Sequence, residues 1–172
     1  MIQIRKTRME DMNRLMDIFE QGKRIMRKSG NLKQWTGGYP SRELVTKDIE
    51  AGHSYVCLDE KGDIIGTFTF IPGKDPTYAR IYKGQWLDDE RPYATIHRLA
   101  STEDSHGVAA ACLEWCYTQI QNLRADTHRD NHILQHILQK HGFRYCGIIY
   151  LMNGDERLAY QKISGEWLVV SG

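Results

Sequence analysis

The residues best placed for chemistry are Asp104-Ser105-His106-Gly107-Val108-Ala109-Ala110, where a strand-like run, Ala94 to Ser101, gives way to a helix-like one. A helix beginning here would present unbonded backbone N–H groups and the positive end of its dipole, which together favour an anion such as a pyrophosphate. Gly107 lets the backbone approach that anion closely, Ala109, Ala110 and Ala111 keep the first turn clear of bulk, and Ser105 adds a hydroxyl donor. The plainer reading of the same residues is a tight turn followed by an alanine-rich helix packed on a sheet.

Other constellations compete. His128, His132 and His136 recur every four residues, so His132 and His136 would share a helix face and could hold a metal. No acid stands where an HExxH site needs one, and Ile133, Leu134, Ile137 and Leu138 mark the opposite face as the inward one. The histidines therefore read as a solvent-facing row, and no metal is expected. Cys57, Cys112, Cys116 and Cys146 form no CxxC pair, which suits buried free thiols. Trp35, Tyr39, Tyr78, Trp86 and Tyr93 gather in two irregular stretches, where they either line an acceptor pocket or anchor loops onto the core.

The elements that must position these residues are readable from spacing. Ile2 to Arg5 alternates like a strand, and Thr7 to Glu10 has the spacing of a capping box ahead of a helix that ends near Gly30. A turn-rich stretch from Asn31 to Pro40 precedes a shorter helix from Ser41 to Gly52. Tyr55 to Leu58 and Ile64 to Ile71 form a hairpin, and the stretch from Pro72 to Pro92 reads as a substrate-side insertion in which Tyr78 to Tyr82 could be a strand. After the helix that follows Gly107 come a strand at Leu123 to Thr127, a helix capped by Asp130 and stopped at Gly142, and a strand from Phe143 to Leu151. Asn153-Gly154 then turns the chain into Arg157 to Ile163. The order predicts an α/β fold with a mixed, mainly antiparallel sheet flanked by helices.

A length of 172 residues suits one domain, 1–172, with 165–172 as a short apolar tail containing Trp167. A net charge of +1 leaves no global field for nucleic acid or an anionic membrane, so any anion site must be local. The opening residues lack the apolar core of a leader and no run is long enough to span a membrane, so the expected location is cytoplasmic.

In this order of elements the turn resembles the CoA-binding segment of the GCN5-related N-acetyltransferase (GNAT) family: Gln or Arg, two residues, Gly, one residue, Gly or Ala. Gly107 and Ala109 match, whereas Asp104 puts an acid in the first position. His97-Arg-Leu-Ala-Ser before the turn, Leu113-Glu-Trp after it, and Asn131 ahead of the Gly142-Phe143 pair extend the likeness over nearly the whole chain.

The resemblance implies a splayed central strand pair that holds the arm of acetyl-CoA along Leu99, Ala100 and Ser101. It implies cofactor contacts from Ser105, His106, Gly107, Val108, Ala109 and Ala110, with Asn131 and Phe143 near the arm. The backbone N–H near Leu99 or Ala100 would meet the developing oxyanion. A small amine or amino-acid-like acceptor would attack directly in a ternary complex, with Trp35, Tyr39, Tyr78 and Trp86 on the acceptor side. Such an amine must first lose a proton, for which Glu90, Asp88 and His97 are the candidate bases. The family's usual tyrosine acid falls at Leu138, leaving Tyr145, Tyr150 or a water to protonate the thiolate. The alternatives are a catalytically silent acyl-CoA-binding or interaction module and a metal-dependent hydrolase. The only macromolecular partner envisaged is a second copy of the chain, a homodimer through sheet edges or the Trp167 tail.

Overall fold

The computed structural model describes residues 1–164, and the tail at 165–172 lies outside the described residues. Among the described residues seven strands form: β1 (Gln3–Lys6), β2 (Ser54–Leu58), β3 (Ile64–Pro72), β4 (Ala94–Ser101), β5 (Asn122–Thr127), β6 (Arg144–Tyr150) and β7 (Glu156–Ile163). They join one sheet in the order β1-β2-β3-β4-β5-β7-β6, antiparallel at every contact except β4 with β5. Among the described residues four α-helices accompany it: α1 (Met12–Lys28), α2 (Arg42–Glu50), α3 (Val108–Gln119) and α4 (His132–Lys140). This is the expected mixed α/β architecture.

Local chemistry sets the helix limits, with some shifts from expectation. The capping interaction before α1 sits one residue later than the Thr7 to Glu10 spacing suggests: the Arg8 amide donates to Asp11 Oδ2 at 2.8 Å, while the Thr7 hydroxyl pairs with Ser54 at 2.7 Å. Asn131, rather than Asp130, caps α4, its Oδ1 accepting from the Leu134 amide at 3.1 Å. At the other end of α4 the Phe143 amide donates to Leu138 O and the Gly142 amide to Gln139 O, a closure that needs the left-handed backbone of Gly142 at φ +88°. Tyr78 to Tyr82 is not a strand: Asp75 caps a short 3-10 turn, Pro76–Tyr78, and Tyr82 makes one isolated bridge to Ile148.

The sheet's two faces have different cores. Phe68, Phe70, Ile96, Leu123, Ala125 and Tyr160 pack with Cys112, Leu113 and Cys116 of α3 and with Leu138 of α4. On the other face Leu15, Ile18 and Phe19 of α1 meet Val45 of α2 and Val56 of β2. Farther along that face the insertion contributes Tyr78, Trp86 and Tyr93, packed on Cys146, Ile149 and Ala159. The Arg124 guanidinium lies 3.9 Å from the ring centres of both Trp86 and Tyr93 and donates to Asp88 O and Asp89, so cation–π contact accommodates a charge that is almost fully buried.

The insertion can close on β6 because Gly84 has no side chain: a Cβ there would stand 1.9 Å from Cys146 O. Gly84→Ala is expected to lower stability by on the order of 1–3 kcal/mol through overpacking, read as a lower urea midpoint with an unchanged slope.

Candidate active site

β4 and β5 touch at only two register pairs, Ala94 with Leu123 and Thr95 with Arg124, and separate beyond them. Just past the separation β4 carries a bulge: the register with β3 jumps from Thr69–His97 to Thr67–Ala100, and Arg98 takes φ +51°. The Arg98 side chain is held by Asp48 of α2 through two hydrogen bonds of 2.8 Å and by the Tyr39 hydroxyl at 3.1 Å. The bulge is thereby tied to both α2 and the loop before it.

A cleft of about 650 Å³ runs through the gap. It is lined by His97, Leu99, Ala100 and Ser101 of β4, Val108 and Ala109 of α3, Asn131 at the start of α4, and Trp35 and Tyr39 of the loop after α1. At the head of α3 the first intrahelical bond runs from Ala111 N to Gly107 O. The Val108, Ala109 and Ala110 amides therefore lie ahead of the helical ladder, free for an anion. Gly107 has φ +79° and nothing within 4 Å of a notional Cβ, so the approach to these amides is open.

Some sequence candidates lie apart from the cleft lining. Gly107 and Ala110 border a shallow groove with Trp115 on the outer side of α3. His106 is exposed, and the Ser105 hydroxyl is committed to Thr102 O at 3.0 Å. Phe143 is buried in the core beneath α3 and α4. Tyr78 and Trp86 are interior residues, Trp86 Nε1 donating to Tyr78 O at 3.0 Å. Glu90 is exposed in the insertion, while Asp88 accepts from the Glu90 and Arg91 amides and from Arg91 Nε. Tyr145 projects from β6, 48% exposed, with its ring edge-on to Tyr160. His132 and His136 are exposed on α4, and among the described residues no three side chains gather to hold a metal.

His97 has partners that spacing did not reveal. Its Nε2 lies 3.1 Å from Asp75 Oδ2 and its Nδ1 lies 3.9 Å from Asp126 Oδ2. Asp75 Oδ1 accepts from the Thr77 amide and hydroxyl, and Asp126 Oδ2 accepts from the Tyr78 hydroxyl at 2.6 Å. Burial pushes the Asp75 carboxyl up, but its bonds with His97 and Thr77 outweigh this and hold it at about 2. Burial and the Asp126 charge push the Tyr78 phenol well above its ordinary value, so Tyr78 stays a donor. An ionised Asp75 can only accept, so Nε2 is the nitrogen that donates to it, and Nδ1 is the one turned toward Asp126. Asp75 and Asp126 escaped sequence reasoning; the one available signal was polar Arg124 and Asp126 alternating with apolar Leu123 and Ala125 in β5.

The parallel strand pair thus opens over the N-terminus of α3, with His97, Asp75 and Asp126 together on one side of the gap. No family model matches the sequence, and no curated protein matches it, but solved structures do. A GNAT-family acetyltransferase from Streptococcus agalactiae is 34% identical, with 95% of each chain covered and a TM-score of 0.87. The chain belongs to the GNAT family of acetyltransferases. More distant structures share the fold: a GNAT-family acetyltransferase from Listeria monocytogenes at 18% identity, 94% of each chain and TM-score 0.65, and the NatC complex bound to Gag peptide and CoA at 14% identity, 95% of this chain, 98% of that one and TM-score 0.64. Among the described residues no helix is long and apolar enough to cross a membrane.

The Asp75 interaction has a pH signature. Its folded value of about 2 lies below the ordinary 3.8, so its stabilisation is present above that ordinary value and is lost as pH falls towards about 2. The stability advantage of the wild type over Asp75→Asn should shrink across that window in urea titrations at stepped pH.

Proposed function

We propose that the protein transfers the acetyl group of acetyl-CoA to the primary amine of a small acceptor, by direct attack with both substrates bound. The observation that carries this reading is His97, oriented by Asp75 and facing Asp126 where β4 and β5 part. Nδ1 and Asp126 Oδ2, at 3.9 Å, are too far apart to bond each other but near enough to share one ammonium donor lying beside both. Asp126 holds the cationic amine, and Nδ1 removes the proton that must leave before nitrogen can attack.

On the other side of the gap, the Val108, Ala109 and Ala110 amides and the open face of Gly107 suit the pyrophosphate of acetyl-CoA. The arm would follow Leu99, Ala100 and Ser101 toward Asn131. The Thr102 amide donates to Ile65 O on β3, so alternation along β4 turns the Ser101 amide toward the gap. At the bulge, the backbone N–H of Leu99 is the donor for the oxyanion, since the same alternation turns the Ala100 amide toward Thr67 of β3. Leu138 is buried against the cleft and has no proton to offer the leaving thiolate. Tyr145 and Glu90, set apart from the lining, have no part in this reading, and thiolate protonation falls to water.

Calorimetric titration with acetyl-CoA, followed by thiol release over a panel of amines, tests the assignment. Binding with turnover supports it; binding without turnover favours the silent acyl-CoA module, and no binding overturns it. Gly107→Glu should cut acetyl-CoA affinity more than 10-fold by placing negative charge at the α3 N-terminus; a side chain at φ +79° also lowers the thermal midpoint, so a retained cooperative unfolding transition marks the folded variant. His97→Ala should lose on the order of 10²–10⁴ in kcat/KM while keeping acetyl-CoA affinity, and added imidazole should restore part of the rate.

A further inference from the structure

Among the described residues three lysine and arginine side chains line the cleft. Lys33 is exposed at its rim, and Arg98 is committed to Asp48. Arg157 differs from both. It is only 8% exposed, yet among the described residues its one hydrogen bond is from Nη1 to Glu156 O at 2.7 Å, and it has no ion pair. A guanidinium carries five N–H donors in a rigid fork that matches a carboxylate, so most of its donor capacity is unspent.

The surrounding charges leave that capacity intact. Glu156 is engaged with Arg129, and Asp155 is an exposed rim residue whose Oδ2 accepts from Asn153. Burial lowers the nearby His128 imidazole, and the positive charge of Arg157 lowers it further. Arg157 is also on the acceptor side of the sheet. Asp126 pairs in register with Ala159, so Arg157, two residues along β7, shares a face with Asp126 as its diagonal neighbour. Such neighbours stand about 7–8 Å apart. Asp126 and Arg157, which has no ion pair among the described residues, thus lie on one face of neighbouring strands and both line the cleft.

We infer that Arg157 binds a carboxylate of the acceptor, so that the acceptor is an amine bearing an acid group, of which free amino acids are the simplest class. The inference rests on the transferase reading for the role of His97 and Asp126 but concerns a separate contact. The acceptor's ammonium sits against Asp126 and His97 while its carboxylate lies in the Arg157 fork, and the rest of the molecule extends toward Trp35 and Tyr39.

The test titrates CoA-loaded protein calorimetrically with a panel of α- and ω-amino acids and with the corresponding amides, then assays the same compounds for acetyl transfer. Amino acids should bind more tightly than their amides by roughly 10- to 100-fold, the range of a charged hydrogen-bonded contact. Arg157→Gln should abolish that preference, with CoA affinity retained as evidence of folding, and Arg157→Lys should keep part of it. Equal binding of acids and amides, absence of binding by every amino acid, or a preference that survives in Arg157→Gln would overturn the inference. If Arg157→Gln does not fold, the acid-to-amide comparison on the wild type decides alone. Carboxylate-dependent binding without acetyl transfer would uphold the Arg157 site and sink the transferase reading.

Discussion

The structure turns on how little β4 and β5 share. A parallel ladder held at two residue pairs leaves the rest of both strand edges without each other, and unpaired edges in a protein interior must find other partners or face a ligand. The cleft is the outcome, with polar backbone on its walls and apolar side chains from α3 and α4 behind it. Because β4 pairs with β3 on both sides of its bulge and β5 pairs with β7 along its length, the opening is supported on both sides by antiparallel ladders rather than by loops.

Keeping such a gap open requires the flanking layers to hold position, and several contacts do so. Arg98 links the bulge of β4 to α2 while Tyr39 completes its coordination. Glu103, in the turn before α3, is gripped by Arg24 and Lys28 of α1, and its amide accepts no freedom either, donating to Gln21. Exposed pairs of this kind contribute little individually, so their effect is on position more than on stability. Gly22 of α1 approaches β4 closely enough that an added Cβ would lie 3.2 Å from that of Ala100. Asn131 and Asn31 both donate to Gln34 Oε1, joining the loop after α1 to the start of α4 across the mouth of the cleft.

Strand alternation, the Gly107 turn and the Gly142 stop were legible because each depends on residues close in sequence. The splay was not, since hydrogen-bond register is absent from side-chain pattern; only likeness to a family suggested it. The pairing of His97 with Asp75 crosses 22 positions and relies on an irregular segment whose path no periodicity encodes. Tyr78 and Trp86 looked like candidates for a pocket because aromatic residues in loops often line one, but here the loop folds inward and they become core, leaving Tyr78 to touch the site through its hydroxyl alone. Arg157 read as an ordinary polar strand residue, and its burial becomes meaningful only once β7 is known to lie between β5 and β6.

The four cysteines have a practical meaning beyond packing. All are buried free thiols; burial pushes Cys57 up to about 12 and Cys146 to about 11, and raises Cys112 as well. A thiol reacts as the thiolate, so the folded chain is chemically quiet toward disulfide reagents. Sulfhydryl colour developing in a reaction mixture then reports liberated CoA with little background from the protein, and a delayed signal from the cysteines themselves would register unfolding of the preparation.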